Sequence, residues 1–327
     1  MWSFHVLIDY TSCADKLCIP FQNLQNNLST VIKKAPEKAF ISPYRPAVLP
    51  QHEECSRKCT ASLIPAIREI DKHVDSFVLT PIGRTLNKQI SSALSKMHAG
   101  AYLEKSDSKS FVQQHIIVLL DSIAVNHLSS LPQPYAVALS AKIASYTIYS
   151  LISNMALIRP LGENGRLRIT QDLADIELSL EQFILSGGCT SSLSQMDGGR
   201  PYAELRAARQ MIYWNGFDDK AASPTEICKG ILREPWILNV RPSTVLNFLF
   251  SFAPDLLSSP HESKNIKIDK YVPMLVDDGE TNSWIITMAC CDAFYQRESV
   301  SVNNHSGDKR VANVLMQLGQ DLLRRRK

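Results

Sequence analysis

Ala156 to Phe183 reads ALIRPLGENGRLRITQDLADIELSLEQF, and it divides into a turn and a helix. Pro160 has no N–H and biases Arg159 away from helical angles, so a helix arriving from upstream stops there. Gly162 and Gly165 flank Glu163 and Asn164, a composition that permits left-handed backbone at a tight turn. Beyond the turn, Leu167, Leu173, Ile176, Leu180 and Phe183 recur at helical spacing, with Ile169 and Ile184 beside them. Asp172, Asp175, Glu177 and Glu181 interleave on the other faces, and Gly187 and Gly188 supply the C-terminal stop. Arg159, Pro160, Gly162, Glu163 and Gly165 are therefore expected to form a structural turn. Its charged residues cap helix ends or pair with one another, and Gly162 bears strain if its φ is positive.

Working outward, the helical pattern continues on both sides. Leu63, Ile64, Ile67, Ile70, Val74, Phe77 and Val78 form one apolar stripe. Thr80-Pro81 reads as an N-cap with proline at the first helical position, so the chain restarts or kinks there. Ile82, Leu86, Ile90, Leu94 and Met97 follow at intervals of four and three. Phe111–Leu128 and Tyr135–Met155 are the next helices, split by Pro132 and Pro134. Four such segments with short breaks make an antiparallel bundle pattern. Ser186–Pro201 is rich in Gly and Ser, holds little to bury, and reads as a flexible loop and an internal boundary. After it come a short helix Tyr202–Trp214, a capping box at Ser223-Pro224-Thr225-Glu226, a helix starting at Pro242, a helix Ile268–Val276, and a last pair, Trp284–Val300 and Val311–Arg326. No run alternates as a strand does. The expected organisation is 1–58 as an ill-defined segment with a Pro-rich connector, 59–185 as one bundle, 186–201 as a loop and 202–327 as a second bundle. Such bundles, stacked, give an elongated all-α body.

Composition narrows the function. The chain has 327 residues, 45% hydrophobic and 20% charged, with a net charge of +3. That balance suits a protein with a buried core and argues against a dedicated nucleic-acid surface. Eight cysteines in so long a chain make a secreted disulfide framework a poor account. Cys13/Cys18 and Cys55/Cys59 lack the CxxC spacing of a zinc site. The apolar run Ile116–Val125 contains Asp121 and is too short to span a bilayer. No Walker motif, HExxH, GxSxG or dinucleotide fingerprint occurs, so no cofactor or metal is expected. Arg324, Arg325, Arg326 and Lys327 form a basic terminus that complements a helix dipole.

LIRPLGENGRLRITQDLADIEL resembles the signature LIRPLGE-G-(K/R)-(M/L)-R-(L/I)…D-(L/F)-A-…-EL of the family of subunit 5 of the conserved oligomeric Golgi complex. VRPSTVLNFLFSFAPDLLSSP, Val240 to Pro260, resembles that family's FLF–small–x–APxxLxSP segment. Weaker similarity runs from about Ala61 to the C-terminal helix and corresponds to the C-terminal part of a longer protein. The N-terminal end and the Gly/Ser-rich segment depart from the family, and residues 1–58 read as a truncated end. The resemblance implies a non-enzymatic scaffold subunit of a vesicle-tethering complex, acting in intra-Golgi retrograde transport. It implies a peripheral position on the cytosolic face of the Golgi, indirect membrane association, other subunits as partners, subunit 7 foremost, and no nucleic acid. The alternative is an all-α enzyme with a site assembled from distant residues. Among the many aromatics of the second half, Trp214 and Phe217, beside Gly216, are expected to be at least half exposed and to bind a partner.

Overall fold

The computed structural model describes residues 64–99, 110–253, 265–277 and 306–325, with isolated positions at 11–16, 19, 23, 58, 61, 102, 261, 288, 289 and 292. Among these residues the fold is all-α and has no strand. The proline-rich connector and most of Trp284–Val300 lie outside the described residues.

The first long helix does not restart at Thr80. Residues 64–74 are helical, Asp75–Leu79 make a π-turn, and α1 (Thr80–Ser95) continues without a break. Thr80 has φ −65° and ψ −46°, so it is helical and not an N-cap, and its N–H reaches back to the Asp75 carbonyl. The reason lies in Pro81, whose ring crowds the carbonyl four residues earlier. A widened turn relieves that crowding without ending the helix. Ile82, Leu86, Ile90, Leu94 and Met97 are buried, as their spacing predicts. The stripe ahead of them is less uniform. Val74 and Val78 are buried, Ile64, Ile67 and Ile70 are half-buried, and Phe77 is 67% exposed, stacked against His73.

A second π-turn, Val112–Ile116, leads into α2 (Ile117–Asn126). α3 (Gln133–Met155) follows and buries residues on nearly every face. By length and composition α3 is apolar enough to cross a membrane, but 67% of its most apolar window is buried against other helices. It packs on α1 on one side and on α4 (Glu163–Ser186) on the other. α4 in turn packs on α2. α4 ends as its two glycines predict. Cys189 N–H bonds to the Ile184 carbonyl and Gly188 N–H to the Leu185 carbonyl, with Gly188 at φ +84°, a Schellman closure.

The segment after α4 is more ordered than its composition suggests. Leu193–Gly199 forms 3-10 helix, Leu193 and Met196 are buried in the core, and the Leu193 N–H donates to Glu181. Two apolar side chains among the glycines and serines are enough to tack it down. The chain then forms α5 (Arg200–Ile212), α6 (Pro224–Arg233), a 3-10 turn Pro235–Leu238, α7 (Pro242–Leu249), a 3-10 turn Phe250–Phe252, α8 (Ile268–Asp277) and α9 (Ser306–Arg325). α6 opens on the predicted capping box, with Ser223 and Glu226 each capping the other's backbone N–H. α9 lies against α6 and α7, and α8 lies against α1 and α3. One hydrophobic cluster runs unbroken from Val74 through Leu205 to Leu322, so the core continues across residues 186–201.

Candidate functional site: where the two signature stretches meet

α3 ends with Ala156, Leu157 and Ile158 bonded back to the last helical carbonyls, and all three side chains are buried. The Arg159–Pro160 peptide is cis. Gly162 then serves as the N-cap of α4, and its carbonyl accepts the Arg166 N–H at 3.0 Å. Its φ is −79°, extended backbone open to any residue, and a Cβ there would meet nothing within 4 Å. The strain expected of Gly162 is therefore absent. Gly165 is the glycine that space requires: a Cβ would sit 3.2 Å from both the Tyr102 carbonyl oxygen and a Leu161 methyl. Glu163 occupies the first turn of α4, where its charge complements the helix dipole.

The two arginines of the turn reach across to the second signature. Arg159 donates to the Ala253 carbonyl at 3.1 Å. Arg166 places its guanidinium over the Phe252 ring, 5.7 Å from the centroid. Phe252 is the centre of an aromatic cluster, with ring centroids of Phe217, Phe248 and Trp214 at 5.0, 5.4 and 5.6 Å. Trp214 and Phe217 thus meet the turn through Phe252. They do so from inside: Trp214 is 8% exposed and Phe217 is half-buried, so the expected exposure of both does not hold. The indole folds back over Gly216, where any Cβ would overlap it, and edge-on aromatic packing is better satisfied in the core than in water.

The second signature begins with an ion pair on a buried carboxylate. The Arg241 Nε donates to both oxygens of Glu204, at 2.9 and 3.1 Å, and its backbone N–H adds a third bond at 3.2 Å. Its remaining nitrogens reach the carbonyls of Leu275 and Tyr149 and the Ser153 hydroxyl, and the guanidinium stacks 4.6 Å over the Tyr149 ring. One side chain thereby joins α3, α5, α7 and α8. Glu204 is 2% exposed, and this saturation of its charge is what makes burial tolerable. No sequence motif marks this pair. The legible hint was that Glu204 precedes Ala208 and Met211 by four and seven positions, on the apolar face of α5.

Asp172 is a second buried carboxylate and lies on the core side of α4 rather than on a solvent face. It accepts the Tyr102 hydroxyl at 2.5 Å and the Val112 N–H at 3.1 Å, and Asp175 accepts the Ser110 hydroxyl at 2.5 Å. These bonds hold the start of the second helix against α4. Burial raises the Asp172 carboxyl above its ordinary range, against the opposing pull of its hydrogen bonds. Burial and the facing carboxylate raise the Tyr102 phenol as well. On α4, Leu167 sits outside the buried stripe and is exposed. Elsewhere burial lowers His98, whose ring nitrogen bonds to Asn154, and pushes the Cys228 thiol up to about 11.

Among the described residues no three His, Cys, Asp or Glu side chains converge as a metal site would need. The groups that do converge bond to carbonyls, hydroxyls and rings of other helices. The fold and this junction therefore define a helical-bundle protein whose buried charges tie helices together.

The chain is similar to conserved oligomeric Golgi complex subunit 5 of Arabidopsis thaliana, 25% identical over 313 residues, which covers 94% of this chain and 33% of that protein. It is also similar to conserved oligomeric Golgi complex subunit 5 of Mus musculus, 27% identical over 182 residues, 54% of this chain and 19% of that protein. The chain thus spans about a third or less of the length of these curated relatives. No family profile matches it, and no solved structure matches it.

Proposed function

We propose that the chain is a non-enzymatic scaffold subunit of a Golgi vesicle-tethering complex, acting in intra-Golgi retrograde transport by protein–protein contacts. The observation that carries this reading is similarity to subunit 5 along 94% of the chain. The internal use of its buried charges is in keeping with it: a scaffold needs stiffness between docking points, and saturated polar junctions give a packed body one arrangement. In this proposal residues 59–185 and 202–327 are two bundles acting as one unit. The partners are other subunits of the complex, subunit 7 foremost, and membrane association is indirect, on the cytosolic face of the Golgi.

Cell fractionation tests this. The tagged chain should sediment with Golgi membranes, be released by alkaline carbonate, and be degraded by protease added outside sealed membranes. Resistance to carbonate, or protection from the protease, overturns the reading.

A further inference from the structure

α2 and α4 run side by side in the same direction. At one end Asp172 of α4 accepts the Val112 N–H, 60 positions earlier, and at the other Gln133, the first residue of α3 after the short turn that follows α2, reaches the Gly188 carbonyl just past α4. Counted from the Val112–Asp172 bond at about 1.5 Å per residue, Val118 falls about level with Leu178 and Val125 with Leu185. All four point to solvent, with exposures of 64, 64, 70 and 60% respectively. On each helix the spacing is seven residues, two turns. Ala174, one turn before Leu178, is exposed on the same side of α4. The inward faces of both helices are already filled, by Leu120 and Ile123 on α2, with Ile116 in the π-turn before it, and by Ile169, Leu173, Ile176 and Leu180 on α4. The outward leucines and valines therefore contribute nothing to the internal core, and two adjoining apolar rows are more than scattered surface hydrophobics.

Along the chain, the charges next to Val118, Val125, Leu178 and Leu185 are acidic. Residues 110–141 contain no Lys or Arg, and neither do residues 169–199. Asp121 lies on the exposed side of α2, and Asp175 and Glu181 lie along α4. We propose that the α2–α4 face docks a basic amphipathic helix from another protein, with apolar anchors at seven-residue spacing and Lys or Arg flanking them. Heptad-spaced rows on two parallel helices offer a groove that a third helix fills with its own a and d positions. Lys and Arg on that helix meet the acidic rim, which steers and orients it. An anionic membrane is repelled by the same rim, and a second copy brings acid against acid. The proposal rests on the scaffold reading and names the chemistry of one contact surface within it.

The test uses the full chain, a fluorescent 21-residue helical peptide with Leu at heptad a and d positions and Lys at e and g, and the same peptide with Glu in place of Lys. Anisotropy should show the basic peptide binding, weakened at least tenfold in V125D/L178D. Leu238→Asp, also at an exposed position, should bind like the wild type. Unchanged thermal unfolding of V125D/L178D confirms that the fold is intact. Equal binding of the two peptides overturns the proposal, as does equal binding by wild type and V125D/L178D. A wild-type dimer in sedimentation that L178D dissociates assigns the face to self-association instead. Flotation with phosphatidylserine vesicles that L178D abolishes assigns it to membrane. Neither outcome touches the scaffold reading, which the membrane fractionation above and recovery of the complex's subunits test separately.

Discussion

Gly187 offers the sharpest test of the packing. It is the C-cap of α4, with φ −74° and ψ −3°, so its backbone suits any residue. What it lacks is room. A Cβ would lie 2.6 Å from the Ser140 hydroxyl oxygen, 2.8 Å from the Ser140 Cβ and 3.3 Å from the Ala136 carbonyl oxygen. Ser140 is fully buried in α3 and bonded to the Val137 carbonyl, so it cannot swing aside. Overpacking of this kind costs about 1–3 kcal/mol, and the reduced freedom of the unfolded chain returns only ~0.4–1 kcal/mol. Gly187→Ala should therefore lower the urea midpoint without changing the slope of the transition, read by far-ultraviolet circular dichroism. Ser140→Gly removes both clashing atoms, so the double variant should recover part of the loss, a coupling of about 1 kcal/mol. Gly162→Ala has open space and forfeits only the N-cap preference for glycine, so it should cost less than about 1 kcal/mol. If Gly187→Ala proves as harmless as Gly162→Ala, or if Ser140→Gly gives no recovery, α3 and α4 do not approach as described.

Arg241→Ala strands the buried Glu204 carboxylate and should destabilise by about 3–5 kcal/mol, whereas Arg241→Met with Glu204→Leu should lose much less; equal losses in chemical denaturation contradict the buried pair. Asp172→Ala leaves the Tyr102 hydroxyl and Val112 N–H without an acceptor and should cost more than Asp172→Asn. Because the folded-state value of Asp172 is raised, its protonation favours the native state. That gain is complete below the ordinary value of 3.8 and is lost as pH rises through the folded value. Wild type should thus gain stability over Asp172→Asn on acidification from pH 7 to pH 4, and a constant difference refutes the raised value. Cys228, with its thiol at about 11, should resist alkylation at pH 8 in the native protein while exposed Cys13 reacts; mass spectrometry of the labelled peptides decides it.

Helix ends were the most legible part of the fold, because capping chemistry is local. Ser223 with Glu226, Gly187 with Gly188, and Pro242 at a helix start all act within a few residues of chain. The stripe on α1 was legible for the same reason. What escaped the sequence depends on what lies opposite. Thr80-Pro81 has the composition of a helix start, but the packing of α1 keeps the helix whole, and the π-turn before it makes room for the Pro81 ring. Trp214 and Phe217 flank a glycine, yet Phe252, some forty residues on, decides that they face inward. Asp172 and Glu204 look like surface charges until Tyr102 and Arg241 are placed against them. The turn and the aromatic pair were each visible as strings of residues, whereas their meeting through Arg166 and Phe252 is a tertiary fact.

Membership of the tethering complex is the central claim, and quantitative affinity purification addresses it most directly. The chain, tagged and expressed at native level, should bring down other subunits of the conserved oligomeric Golgi complex in near-equal amounts, with subunit 7 among those that persist in high salt. Recovery of a folded chain free of every other subunit would contradict it.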